Sequence, residues 1–320
     1  MTRLVVTGGL GFVGGALCRR LAAAGADLVV YDDLSTGDTA RLPPGARLVE
    51  GDICDAPRLR RALAGADGVV HLAAISSVEA CVSRRAETSR TNLHGTVTLL
   101  EETGALPVVY TSSAAVYGDQ ATLPVGEDAE PDPISPYAID KLGSERHLRA
   151  AVDLRGARGV VLRLFNVYGA GQAPDSPYAA VIPRFVARAA LGLPLFVTGD
   201  GGQIRDFVHV RDVADALARA MHLALEDGPP VMHTVNIARG EGLSILSLAQ
   251  MVNRLAGSAA PIAFGPARIG DIRDSVGDPR RAARLLGFAP SVDLRDGLSE
   301  MLEEAAAADT PARAARRPAG

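Results

Sequence analysis

From Leu4 to Phe165, short and nearly continuous apolar runs alternate with stretches whose apolar residues recur every three or four positions. Leu4-Val5-Val6 reads as a strand, Gly14 to Ala24 as a helix and Asp27 to Tyr31 as a second strand. Arg47 to Glu50 reads as a third strand, Pro57 to Ala64 as a helix and Gly68 to Leu72 as a fourth strand. A long helix is expected from Glu87 to Thr103, then a strand from Pro107 to Thr111. A helix from Tyr137 to Val152 and a strand from Gly159 to Phe165 follow. Strands that are apolar on both faces, alternating with helices, predict a parallel sheet covered on both sides. The fold class is therefore α/β, a Rossmann-type doubly wound sheet. Beyond Asn166 the pattern loosens, with Pro and Gly punctuating helices near Ile182–Leu191, Val210–Leu225 and Ser244–Ala256. This predicts a smaller C-terminal lobe over the carboxyl edge of the sheet, where such folds bind ligands. Thr234 to Ile237 is expected to return to the main sheet.

Two local patterns carry chemistry. Thr7-Gly8-Gly9-Leu10-Gly11-Phe12-Val13-Gly14 links a strand to a helix. Glycines there let the backbone approach a pyrophosphate, and the helix N-terminus supplies N–H donors to the anion. The second strand ends in Tyr31-Asp32-Asp33. A carboxylate at that point can hold both ribose hydroxyls and would repel a 2′-phosphate, favouring NAD over NADP. Asp52 and Ile53, after the third strand, are placed to meet adenine. Leu72, Ala73 and Ala74, after the fourth, are small where a cofactor backbone would pass. The second pattern is Tyr137-Ala138-Ile139-Asp140-Lys141, opening a helix after Ser135-Pro136. Residues four apart share a helix face, so phenol and ammonium project together. A nearby cation should favour phenolate and lower the Tyr137 pKa towards neutrality. Ser113, at the end of the upstream strand, could hydrogen-bond the reacting oxygen, with Ser112 as the alternative.

Composition sharpens one of these readings. Of 33 basic residues Lys141 alone is lysine, where a compact ammonium serves close approach to several partners. Otherwise the 320 residues, 48% hydrophobic and 22% charged with net charge −4, describe an ordinary globular chain with no basic field for nucleic acid. Three cysteines at unrelated spacings suit a reducing compartment rather than a disulfide framework, and the six histidines show no metal-ligand spacing. The chain enters an apolar run directly after Thr2-Arg3 and has no stretch near ~18 apolar residues. A cytoplasmic location without membrane contact is expected.

The sequence resembles the extended short-chain dehydrogenase/reductase family, in the group of UDP-sugar 4-epimerases. The resemblance rests on Thr7–Gly14, Asp32-Asp33-Leu34-Ser35-Thr36-Gly37, Gly51-Asp52-Ile53, His71-Leu72-Ala73-Ala74 and Asn92-x-x-Gly95-Thr96. It continues through Tyr110–Gly118, Tyr137–Lys141, Arg163–Gly169, Gly199–Val210 and Arg268-x-x-Asp271, so that it spans residues 4 to about 290 in order. It implies an NAD site made by Gly8, Gly11, Phe12, Val13, Asp32, Asp33, Ser35, Thr36, Gly37, Asp52, Ile53 and Leu72. Ala73, Ala74, Asn92, Thr111, Tyr137, Lys141 and Phe165 complete that site. It implies a catalytic set of Ser113, Tyr137 and Lys141. Ser76, Ser113, Asn166, Val181, Ile182, Arg205, Arg268, Asp271 and Ser275 would bind the UDP-sugar, with Asp271 on the uridine ribose. Guanidinium groups at Arg205 and Arg268 suit a diphosphate. Residues 1–165 would form the NAD-binding domain, with 206–240 returning to it. Residues 166–205 and 241–304 would form the substrate-binding lobe, and 305–320 a disordered tail. A homodimer is implied, pairing Glu87–Thr103 and Tyr137–Val152 into a four-helix bundle. Asp140 departs from the family, which usually has a small hydroxyl residue there.

Within the family, a 4,6-dehydratase needs acid and base residues directly after the catalytic hydroxyl, where this chain has Ala114 and Ala115. Relatives acting on glucuronate carry Thr and Arg where this chain has Asn166 and Ala173. A sugar uncharged at C6 is favoured. Ser275 leaves room for a 2-acetamido group, so both UDP-Glc/UDP-Gal and UDP-GlcNAc/UDP-GalNAc are expected substrates. An oxidoreductase or synthase releasing NADH and a non-catalytic NAD-sensing protein remain as alternatives.

Overall fold

Seven of the apolar runs become the strands of one parallel sheet in the computed structural model, which describes residues 1–174, 180–267 and 272–315. The first six are β1 (Arg3–Thr7), β2 (Asp27–Asp32), β3 (Arg47–Glu50), β4 (Gly68–His71), β5 (Val108–Ser113) and β6 (Arg158–Leu164). Across the sheet they run β3-β2-β1-β4-β5-β6, and the strand Val231–Ile237 pairs in parallel with β6 at the far edge. The order reverses between β1 and β4, the switch point at which open α/β sheets form a crevice beyond their carboxyl ends. Val5, Val6, Val69, Val70 and Val109 are fully buried, as expected for strands covered on both faces.

Helices Phe12–Ala23 and Val210–Leu225 cover one face. The second presents Val210, Val213, Ala214, Leu217, Met221 and Ala224 inward, the three-and-four spacing that its sequence predicts. Ala56–Leu63, Gly95–Thr103 and Pro136–Arg155 cover the other face. Pro136–Arg155 is bounded by local chemistry at both ends. Ser135 Oγ accepts from Ala138 N at 3.2 Å, Pro136 occupies the first turn, and Gly156 closes the helix in a left-handed conformation.

Three differences from the sequence reading are instructive. The expected helix Glu87–Thr103 is a helical run from Arg85 to Thr103, interrupted by a π-helical turn at Arg90–His94. There the Asn92 carbonyl accepts from Thr96 Oγ1 at 2.7 Å and from Ser144 Oγ at 3.3 Å. Side-chain hydroxyls drawing on a helix carbonyl accompany such widened turns, which cluster at functional sites. The last helix, Leu294–Ala315, runs on through most of the stretch where an unstructured tail was expected. Its high alanine content favours helix, and its first turns are anchored by Leu298 and Met301 in the small-lobe core. That core also contains Tyr168, Phe185, Val186, Leu195, Val197, Phe207 and Leu248. Lastly, the helix Val78–Ser83 and the two-residue strands of the small lobe were not anticipated.

His71, at the end of β4, is 1% exposed and links the end of β1 to the helix Gly95–Thr103. Its Nδ1 lies 2.7 Å from Thr7 Oγ1 and its Nε2 3.0 Å from Thr96 Oγ1. Burial, with the charge of Lys141 adding to it, depresses its pKa from 6.5 to about 3. A histidine folded as the neutral form contributes stability that is fully present above its unfolded pKa and is lost as pH falls towards the folded value. Denaturant titrations between about pH 6.5 and 4 should therefore show the wild type losing up to about 1.4 kcal/mol per pH unit more than His71→Asn. Equal slopes for the two proteins would contradict this assignment.

Candidate active site

The loop after β1 is shaped by backbone crowding. Gly8 has φ +67°, and a Cβ there would lie 2.7 Å from Ala73 N in the loop after β4. A Cβ on Gly14 would run into the Gly8 carbonyl oxygen. Gly11 caps the helix Phe12–Ala23 without a side-chain bond, so the first N–H groups of the helix, beginning with Phe12 and Val13, are open to an anion. A cradle that any Cβ would fill, beside an uncapped helix N-terminus, fits the pyrophosphate of a dinucleotide.

Asp32 is buried at the end of β2 and accepts from Leu10 N and Leu34 N, both at 3.0 Å. Its carboxylate thus ties the glycine loop to the turn that follows β2. Gly37 packs against it, since a Cβ there would lie 2.7 Å from Asp32 Oδ1. Asp33 is exposed and accepts from Ser35 N at 3.0 Å and Ser35 Oγ at 2.6 Å, with Thr36 exposed beyond. Asp52 pairs with Arg90 at 2.8 Å, and Ile53 is buried against Gly95. Leu72, Ala73 and Ala74 line the half-buried loop after β4. Asn92, on the π turn, clamps Ile75 in both directions. Its Oδ1 accepts from Ile75 N at 2.7 Å, and its Nδ2 donates to Ile75 O at 3.1 Å. The π turn therefore holds the loop that leads to Ser76.

On the helix Pro136–Arg155, Tyr137 faces the crevice and Lys141 lies one turn deeper, 4% exposed. Lys141 Nζ donates to the Thr111 carbonyl at 2.7 Å and sits 5.8 Å from the Tyr137 ring centroid. Burial draws the Lys141 pKa down to about 8, opposed by the carboxylate of Glu145. The expected lowering of the Tyr137 pKa is not found in the protein by itself. Burial pushes it up to about 12, while hydrogen bonding to Ser113 pulls the other way. The ammonium is engaged with a backbone carbonyl, and desolvation of the phenolate outweighs its field. Ser112 is excluded as the reacting hydroxyl, because its Oγ donates to Glu145 Oε1 at 2.5 Å inside the core. Asp140, on the same helix, is buried and accepts from Ser89 Oγ at 2.9 and 2.8 Å, and burial raises its pKa.

A cavity of about 390 Å³ opens above Tyr137. It brings together Ser76, Ser113, Tyr137, Phe165, Asn166, Arg205 and Ser275, with Ala114 and Ala115 beside Ser113. A second cavity of about 400 Å³ shares Ser76, Asn166 and Arg205 and extends over Val181 and Ile182. Asn166 Nδ2 donates to Asp206 O at 3.0 Å, and Arg205 Nη1 donates to the carbonyls of Ile204 and Arg273. Ser275 is paired in register with Arg205 on two short strands, which places both on one wall. Phe165 is 3% exposed and packs where a Cβ on Gly277 would collide with its ring. Arg268 and Asp271 lie outside the described residues. Glu145, Arg163 and Gln203, all buried near the site, were not singled out from the sequence. Glu145 falls four positions after Lys141, and that spacing is the signal that could have found it.

This geometry is that of a nucleotide-dependent enzyme working at a Rossmann switch point, and the chain belongs to the NAD dependent epimerase/dehydratase family, whose model matches residues 4–238. A UDP-glucose 4-epimerase of Azospirillum brasilense is 36% identical over 316 residues, 92% of this chain and 89% of the relative. Among solved structures, the UDP-glucose 4-epimerase of Thermotoga maritima with UDP-glucose superposes with a TM-score of 0.89 at 33% identity, over 94% of this chain and 98% of that one. The UDP-N-acetylglucosamine 4-epimerase of Methanobrevibacter ruminantium, in complex with UDP-N-acetylmuramic acid, gives 0.87 at 31% identity, over 94% and 97% of the two chains.

Proposed function

We propose that the protein interconverts the C4 epimers of a UDP-hexose through a 4-keto sugar, with NAD retained between turnovers. The observation that carries this reading is the cavity where Ser113 and Tyr137 meet Asn166 and Arg205. Gly8, Gly11, the N-terminus of Phe12–Ala23, Asp32 and Lys141 would hold the cofactor. When bound, oxidised NAD supplies a hydride acceptor for C4 and a positive charge beside the phenol. Tyr137 exchanges the proton of the 4-hydroxyl, and Ser113 holds that oxygen in line. Burial pushes the Tyr137 pKa up to about 12 in the protein alone, and the positive charge of bound NAD would act against that rise. Lys141 orients the site from below through Thr111. Asn166 and Arg205, with Arg268 and Asp271, would bind the nucleotide diphosphate. Ala114 and Ala115 offer no proton carrier for elimination, which favours epimerisation over dehydration.

Ser275 leaves the sugar wall open to a 2-acetamido group. Incubating the purified protein with UDP-Gal and UDP-GalNAc separately, without added NAD, and following the sugars by NMR should show both converted to their C4 epimers. In Ser275→Tyr, conversion of UDP-GalNAc should fall at least about tenfold relative to UDP-Gal, a difference of about 1.4 kcal/mol in transition-state binding. Turnover of UDP-Gal alone by the wild type would overturn the substrate breadth. Conversion of neither sugar, even with NAD added, would overturn the epimerase reading.

The quaternary reading is a homodimer through the helical face that includes Pro136–Arg155. Ile139 and Leu154 are 54% and 83% exposed there, apolar positions that a partner helix would cover. Ile139→Glu should convert a dimer to a monomer in light scattering, and a wild-type monomer would refute this interface. Among the described residues no helix is long and apolar enough to cross a membrane. The three cysteines are free, in keeping with the reducing cytoplasm in which we place the enzyme.

A further inference from the structure

Below the reacting groups lies a buried charge cluster that the reaction as described does not use. Tyr137, Lys141 and Glu145 fall at successive four-residue steps on the helix Pro136–Arg155, so all three side chains follow one face. Tyr137 reaches the cavity and Lys141 reaches the Thr111 carbonyl of β5. Glu145 is 4% exposed and grips the next residue of the same strand, accepting from Ser112 Oγ at 2.5 Å. Its two oxygens also take a bidentate pair from Arg163 on β6, at 3.0 Å from Nε and 2.7 Å from Nη2. The Arg163 guanidinium in turn lies 4.7 Å from the centre of the Tyr117 ring, whose hydroxyl donates to Asn236 Oδ1 at 2.6 Å. One carboxylate thereby joins the helix carrying Tyr137 and Lys141 to the strand carrying Thr111 and Ser113, and to β6 beside it.

We propose that Glu145 is a positioning residue for the reaction: it fixes the helix register on β5 and, as a buried anion one turn below Lys141, keeps the ammonium protonated. A buried ion pair is seldom retained for stability alone, since an apolar pair of the same volume often serves as well. An anion is useful here for a specific reason. Burial destabilises the charged form of Lys141, and the Glu145 carboxylate is the main group acting against that loss. Asp140 and Cys81 act in the same sense, while burial remains the larger influence. The other charged group facing the cluster, Arg163, is held in the bidentate pair. Without the Glu145 charge, the Lys141 equilibrium moves towards the neutral amine, and the cation at the site is lost at lower pH.

This proposal rests on the reading of Lys141 as part of the active site, and the single lysine of the chain gives it an independent test. Protein labelled with [ε-13C]lysine carries one lysine side-chain resonance, so Lys141 can be titrated by NMR in the protein as purified. Glu145→Gln should lower the Lys141 pKa by about one unit relative to wild type. The alkaline limb of the kcat profile should move down by the same amount, with KM less affected than kcat. Glu145→Gln leaves Arg163 without its partner, so Glu145→Gln/Arg163→Met removes both charges and guards against loss of folding. The double variant should show a smaller fall in the Lys141 pKa, because loss of the Arg163 cation removes a repulsion together with the attraction. An unchanged Lys141 titration in a folded variant of either kind would overturn the proposal. A shifted titration in a protein that converts neither UDP-sugar would sustain it while the epimerase reading falls.

Discussion

Tyr137→Phe should fold, retain NAD and lose about two to four orders of magnitude in kcat, the range for removing a general acid/base. The ring stays at the cavity wall, and the helix around it is set by the Ser135 cap and the Lys141 and Glu145 contacts, none of which uses the phenol oxygen. What is removed is the atom that passes the proton beside Ser113. NMR assay of UDP-Gal conversion gives kcat, and absorbance of the denatured supernatant gives the NAD content per chain. A variant within about tenfold of the wild type would remove Tyr137 from the chemistry and shift attention to Ser113. A variant purified without NAD would assign the phenol to cofactor binding instead.

Gly14→Ala is expected to have the second large effect, by a different route. The methyl group would meet the Gly8 carbonyl oxygen and the Gly9 backbone, neither of which can swing aside as a flexible side chain does. Overpacking of this kind typically costs about 1–3 kcal/mol. Here the strain falls on the loop that would receive the pyrophosphate. Purified Gly14→Ala should carry little NAD and melt below the wild type. Gly126→Ala is the control, because a Cβ there meets nothing within 4 Å. Full NAD content in Gly14→Ala would show that the loop does not hold the cofactor as closely as its packing implies.

Much of this architecture could be read from local pattern. β3 occupies the residues its apolar run predicts, and Val210–Leu225 follows directly from its three-and-four spacing. The glycine loop and the Tyr137/Lys141 pair were legible because each depends on residue types at fixed spacing within one element. Pairings between distant elements were not. Ser112 and Ser113 are alike in sequence, and it is Glu145, 33 positions on, that draws the first hydroxyl into the core while the second lines the cavity. The ionisation of Tyr137 was misread for the same reason. Helix geometry gave its proximity to Lys141, whereas the desolvation that dominates comes from the whole wall around it. The two-residue strands of the small lobe exist through pairing with each other, and carry no periodicity of their own.

The π turn at Arg90–His94 has a consequence for sequence change. A π turn closes i→i+5 where an α turn closes i→i+4, so it houses one residue more than the same turn of α-helix. A single deletion between Arg90 and His94 would convert the turn to regular helix and keep the flanking turns nearly in phase, yet it would take away the widened position from which Asn92 holds Ile75. Substitutions along this segment are bounded by chemistry, and its length by the extra residue that brings Asn92 to Ile75. Related chains should therefore vary in composition here far more freely than in the number of residues.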